Sequence, residues 1–69
     1  MDKIALANKL SVEAHDVLMY EEKEGRLKVL YSFESQYIVL VTDDIDDESE
    51  GASLATPNYE EALTEYEQS

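Results

Sequence analysis

Cysteine and tryptophan are absent from this chain of 69 residues, glycine occurs twice, and proline and histidine occur once each. Without cysteine there is no disulfide framework and no thiolate metal site. That predicts a chain folded in a reducing interior, the cytoplasm by default, and not a stapled secreted mini-protein. Gly25 and Gly51 stand alone, so no glycine-rich loop cradles a phosphate. The single imidazole, His15, lies in a stretch with no glycine-rich elbow and no oxyanion-hole pattern, and reads as a surface or helix-end residue. Long apolar runs are also missing. The longest spans Tyr37 to Val41, which predicts neither a signal peptide nor a membrane span of about 20 apolar residues.

Basic residues are scarce, 5 against 17 acids, and none follows Lys28. The net charge of -12 argues against direct contact with nucleic acid or with an anionic membrane. Residues 1–28 hold 6 acids and 5 bases, whereas residues 29–69 hold 11 acids and no base. Those acids are Glu34, Asp43, Asp44, Asp46, Asp47, Glu48, Glu50, Glu60, Glu61, Glu65 and Glu67. No lysine or arginine nearby in sequence can pair with them. Solubility alone asks for a net charge of magnitude about 2 to 8 in a small domain, so this excess points to a negative surface that meets a basic protein.

The length allows one small domain, residues 1–69, with a single thin core. Folding at this size buries roughly 60% of the unfolded surface, which leaves no room for a separate substrate-binding domain. Asp2, Lys3, Ile4, Ala7 and Leu10 read as a short helix with an acid at its positive end and apolar residues three apart, ending near Ser11. The run Val17-Leu18-Met19-Tyr20 suits a strand, although Ala14, Val17 and Leu18 also permit a helix over 14–22. A strand is preferred because Lys23-Glu24-Gly25-Arg26 reads as a turn, followed by alternation of Leu27, Val29, Tyr31 and Phe33 with Lys28, Leu30, Ser32 and Glu34. After a second connection at Glu34-Ser35-Gln36, residues Tyr37 to Thr42 are β-branched or apolar almost throughout, as in a strand covered on both faces.

Residues 43–56 have little to bury beyond Ile45 and Leu54, and read as an acidic loop. Thr56-Pro57 predicts a helix start, threonine as N-cap and proline at the first helical position. Tyr59, Ala62, Leu63 and Tyr66 then form an apolar stripe opposite Glu60, Glu61, Glu65 and Glu67. The expected fold class is α+β: a short N-terminal helix, a three-stranded antiparallel meander, the acidic loop and a C-terminal helix. Should one sheet face stay uncovered, Leu18, Tyr20, Leu30, Ile38 and Leu40 would be exposed and a homodimer would cover them.

No enzyme activity and no cofactor are expected. The loop carboxylates crowd together in water and are not held in contrasting environments that would split their pKa values for acid and base roles. Asp46-Asp47-Glu48-Ser49-Glu50-Gly51 starts like a calcium loop, but the twelfth position is Pro57 in place of a bidentate glutamate, and no dedicated metal site follows. One histidine and no cysteine exclude a transition-metal centre. Ile38-Val39-Leu40-Val41 followed by acids resembles a SUMO-interacting motif, which adds to a partner's sheet edge, yet it fits a core strand better.

Glu61 and Glu65 stand one helical turn apart, a like-charge spacing that costs a helix roughly 0.2–0.5 kcal/mol. Glu65 and Glu67 also sit at the helix C-terminus, where the dipole disfavours negative charge. Stability does not select this placement, which points to a partner. The candidate binding surface is therefore Asp43, Asp44, Asp46, Asp47, Glu48, Glu50, Glu60, Glu61 and Glu65, with Tyr37, Tyr59 and Tyr66 as possible rim contacts.

In size, acidity, lack of cysteine and lack of a catalytic motif, with the run Asp43-Asp44-Ile45-Asp46-Asp47-Glu48-Ser49-Glu50 and the glutamate-rich last helix, the chain resembles the small anti-CRISPR and other DNA-mimic inhibitors. The resemblance is one of class, without a shared motif. It implies a protein acting in a bacterial host cell on a basic DNA- or RNA-binding partner, a CRISPR effector complex first, by occupying the surface that contacts target DNA. Two alternatives remain at the level of sequence: an antitoxin-like or regulatory protein masking a basic toxin or nuclease site, and a small dimeric adaptor.

Overall fold

A computed structural model describes residues 2–43 and 52–68, without the side chains of residues 52 and 53. The elements run α1 (Lys3–Leu10), a 3₁₀ turn (Ala14–Asp16), β1 (Val17–Lys23), β2 (Arg26–Phe33), β3 (Gln36–Thr42), β4 (Ala52–Thr56) and α2 (Tyr59–Gln68). The class is α+β, as expected. The antiparallel sheet has four strands in the order β1-β2-β3-β4.

The fourth strand replaces the end of the expected loop. Residues 52–56 carry only one large apolar side chain, so no alternation marks them. Pairing with apolar β3 makes the strand: Leu54 lies opposite Val39, and Thr56 opposite Tyr37. Residues 44–51, most of the remaining acidic loop, lie outside the described residues.

Asp2 caps α1, its Oδ1 accepting from the Ala5 N–H at 2.8 Å. Ser11 closes the helix in the left-handed conformation, and its N–H donates to the carbonyls of Ala7 and Asn8. The buried face differs from the expected 4-7-10 stripe. Ile4 is 66% exposed, whereas Leu6 and Ala7 are buried. Steps of three residues fall short of a full turn, so residues 4 and 10 diverge by about 120° around the axis, while residues 6 and 10 differ by about 40°. Leu6, Ala7 and Leu10 therefore form the true face.

The chain enters β1 through a single 3₁₀ turn, all that remains of the helical alternative for 14–22. A bulge at Leu18 separates the pairs Val17↔Tyr31 and Met19↔Leu30. Both hairpins close with two-residue turns in left-handed backbone, at Glu24-Gly25 (φ 54° and 79°) and Glu34-Ser35 (φ 51° and 65°). This hand matches the twist of the paired strands.

The helices take opposite faces of the sheet. Leu6 and Ala7 of α1 pack on Val17, Leu27, Val29 and Leu40, while Ala62 and Tyr66 of α2 pack on Leu30 and Val39 with Met19, Tyr37, Val41 and Leu54. Leu30 and Leu40 are thus buried within one chain, on different faces. Leu18 and Tyr20 stay exposed and Ile38 half-buried. The sheet thus has no wholly open face among the described residues. Val39 and Leu40 belong to this core, which is what the SUMO-like segment does here.

Candidate acidic interface

The start of α2 sets the direction of its carboxylates. Thr56 is the last residue of β4, and its Oγ1 accepts from the Asn58 N–H at 3.1 Å. Asn58 is the helix cap: its Oδ1 accepts from the N–H groups of Glu60 (2.9 Å) and Glu61 (3.2 Å). The expected Thr56 cap with Pro57 in the first turn is therefore displaced by two residues. Asparagine caps as well as threonine does, and Thr56 is already committed to β4. The Thr56 hydroxyl donates to Glu61 Oε2 at 3.3 Å, which fixes that carboxylate over the end of β4.

Once the cap is in place, the 3.6-residue period sorts the side chains. Ala62, Leu63 and Tyr66 face the sheet. Glu61 and Glu65 occupy one flank, one turn apart, and Glu60 and Glu67 the other. Glu60 and Glu61 lie in the first turn, where the helix dipole favours negative charge, and no basic residue occupies the last turn. Tyr59 meets Tyr37 edge-on, with ring centroids 5.3 Å apart. Of the three expected rim tyrosines, Tyr66 is buried in the core, Tyr37 is half-buried and Tyr59 is exposed.

The bases lie on other elements, although Lys28 reaches α2. Lys3 and Lys9 are on α1, and Lys23, Arg26 and Lys28 line a groove with Glu21, Glu24 and Asp43 beside the β1–β2 hairpin. Arg26 pairs with Asp43 at 3.2 Å, although the two are 17 residues apart in sequence. Asp43 is thus matched by a base that sequence proximity did not suggest, and antiparallel pairing of β2 with β3 is what brings the two together. Lys28 lies 3.8 Å from Glu21, with Nζ 4.6 Å from the centroid of the Tyr66 ring. Burial, and then the negative charge of Glu21, hold the Tyr66 hydroxyl above its ordinary pKa, while burial alone raises Tyr31.

The contact of Lys28 with Tyr66 was not legible because the strand that carries it reads as alternating. The place of Lys28 two residues before Leu30 on the α2 face was the available signal. Of the nine carboxylates proposed from sequence, Asp44, Asp46, Asp47, Glu48 and Glu50 lie outside the described residues. Glu60, Glu61 and Glu65 share α2, and Asp43 stands apart beside the hairpin. His15 is a surface side chain, 80% exposed, with Nε2 3.4 Å from Asp16. Among the described residues, no group of three or more histidine, aspartate or glutamate side chains is placed to hold a metal ion. No helix among them is long and apolar enough to cross a membrane.

Comparison with protein-family models, curated proteins and solved structures finds no match to this chain.

Proposed function

We propose that this protein is an acidic inhibitor that occupies the DNA-contacting surface of a basic nucleic-acid-binding protein, in the manner of an anti-CRISPR DNA mimic acting on a CRISPR effector complex. The observation that carries this reading is the segregation of charge. Glu60, Glu61, Glu65 and Glu67 ride on a helix packed against the sheet, while four of the five bases lie on α1 and at the β1–β2 hairpin, and the fifth, Lys28, reaches from β2 to Tyr66 of that helix. A groove built to track phosphates presents lysine and arginine along its length, and carboxylates on a fixed scaffold compete for it without unwinding or base pairing. The stability penalty of like charges along α2 is consistent with selection by a partner.

The test is competition. The protein is added to a CRISPR effector complex carrying labelled target duplex, at low and moderate salt, beside polyglutamate of equal charge. Displacement of DNA by the protein and not by polyglutamate, weakening as salt rises, is the expected result. Neutralising Asp43, Asp44, Asp46 and Asp47 together, and separately Glu60, Glu61 and Glu65 as glutamine, divides the effect between the acidic segment and α2. If both variants keep full displacement with intact folds, these carboxylates are not the interface. Failure to displace DNA from any effector moves the masking of a basic toxin or nuclease ahead of this reading.

A further inference from the structure

We infer that Glu61 is the carboxylate of α2 on which a cation of the partner anchors, and that the buried Thr56 hydroxyl is the group that positions it. This rests on the function proposed above, from which it takes that the partner is basic. Thr56 is only 5% exposed, and its backbone is fixed in β4 opposite Tyr37. A hydroxyl has one proton to donate and lone pairs with which to accept. Acceptance from the Asn58 N–H at 3.1 Å closes the turn into α2, and does so whichever way the proton points. The proton is directed to Glu61 Oε2 at 3.3 Å, a contact that the turn does not require.

Glu61 is thereby held at both ends. Its N–H donates to Asn58 Oδ1 at 3.2 Å, and its carboxylate is tied to the end of β4 while the residue stays exposed. A carboxylate has about four lone-pair sites, so one tie leaves acceptors for an incoming guanidinium or ammonium. The other glutamates of the helix differ. Glu60 and Glu67 are exposed, and among the described residues no hydrogen bond or ion pair holds their carboxylates. Glu65 is half-buried and already engaged in an interaction. Fixing a long side chain at an interface costs rotamer freedom, and Glu61 has given up part of that freedom before a partner arrives. Among the four, Glu61 alone is exposed, held in place and still able to accept.

The test uses the full-length chain in two measurements. The first needs no partner: three-bond couplings along the side chains of an isotope-labelled sample read rotamer populations residue by residue. Glu61 is expected to hold one dominant rotamer in the unaltered protein and in Thr56→Ser, which keeps the hydroxyl, and to average in Thr56→Val. Glu60 and Glu67 are expected to average throughout. The second measurement is displacement of labelled duplex from the CRISPR effector complex. Glu61→Gln is expected to weaken displacement more than Glu60→Gln or Glu67→Gln, each of which removes the same charge. Thr56→Val is expected to weaken it about two- to tenfold, Thr56→Ser to restore it, and Thr56→Val to add nothing in the Glu61→Gln background. Because Thr56→Val also removes the acceptor for the Asn58 N–H, Glu61→Asp replaces it should the amide spectrum be disturbed. That variant keeps the charge, withdraws the carboxylate from the hydroxyl, and is expected to lose the same two- to tenfold. Averaged Glu61 rotamers in the unaltered protein, or full displacement by both Thr56→Val and Glu61→Asp, overturn the positioning by Thr56. Equal losses in the three glutamine variants overturn the anchor and leave the inhibitor reading standing. No displacement from any effector removes the inhibitor reading and the anchor with it, a result separable from the first because the rotamers are read without a partner.

Discussion

At the scale of single residues, backbone hand and burial govern what substitutions do. Ser35 holds φ at 65°, a conformation in which a side chain costs about 1–2 kcal/mol and glycine costs none. Ser35→Gly is expected to stabilise the protein by about 0.5–1 kcal/mol in urea unfolding, after allowing for the greater freedom of glycine in the unfolded chain. Gly25→Ala is the converse. Nothing lies within 4 Å of the added Cβ, so the expected loss of about 1 kcal/mol comes from φ at 79° and not from a clash. Tyr66 provides a pH dependence. Its folded pKa is raised, so the unfolded chain releases the proton first; its contribution is complete below about pH 10 and is lost as pH climbs through the folded value. Unfolding free energy should therefore fall with rising pH above about 10, with a shallower slope in Tyr66→Phe.

At the scale of elements, the useful tests are those that separate the two stripes of α1 and the two candidate caps of α2. Leu6→Ala is expected to cost about 2–5 kcal/mol, because the side chain is fully buried against Val17 and Val29, while Ile4→Ala at the exposed position stays within about 0.5 kcal/mol. Thermal unfolding of the pair reads the difference directly. Asn58→Ala removes the acceptor of two helix N–H groups and should cost about 1 kcal/mol, with loss of helical circular dichroism if α2 frays. The sheet, by contrast, was readable from turns and alternation in three of its strands. β4 was not, since a short strand whose neighbour supplies the apolar surface carries little pattern of its own.

At the scale of the whole molecule, charge opposes compactness. A net charge of -12 on 69 residues sets up self-repulsion that salt screens, the Debye length shrinking from about 30 Å at 0.01 M to about 8 Å at 0.15 M. The melting temperature is expected to rise with sodium chloride over that range, while affinity for a basic partner falls. Opposite responses of stability and binding to one variable distinguish an electrostatic interface from an apolar one. The Arg26–Asp43 pair, exposed at both partners, contributes little to this balance.

Composition and local pattern were enough to establish a small α+β fold, its two hairpins, the segregation of acids behind Lys28 and the exposure of Glu60, Glu61 and Glu67 on the last helix, where Glu65 is half-buried. These follow from periodicity and from residue chemistry, which act over a few positions and need no distant partner. Pairing across the sheet decided the rest: Leu54 became part of a fourth strand, Asp43 met Arg26, and Lys28 came to lie against Tyr66. The cap moved from Thr56 to Asn58 because β4 had already claimed Thr56. Leu6 displaced Ile4 from the core because only one stripe of α1 can face the sheet. Each depends on residues far apart in the chain becoming neighbours, and on backbone and side-chain groups that can satisfy only one partner at a time.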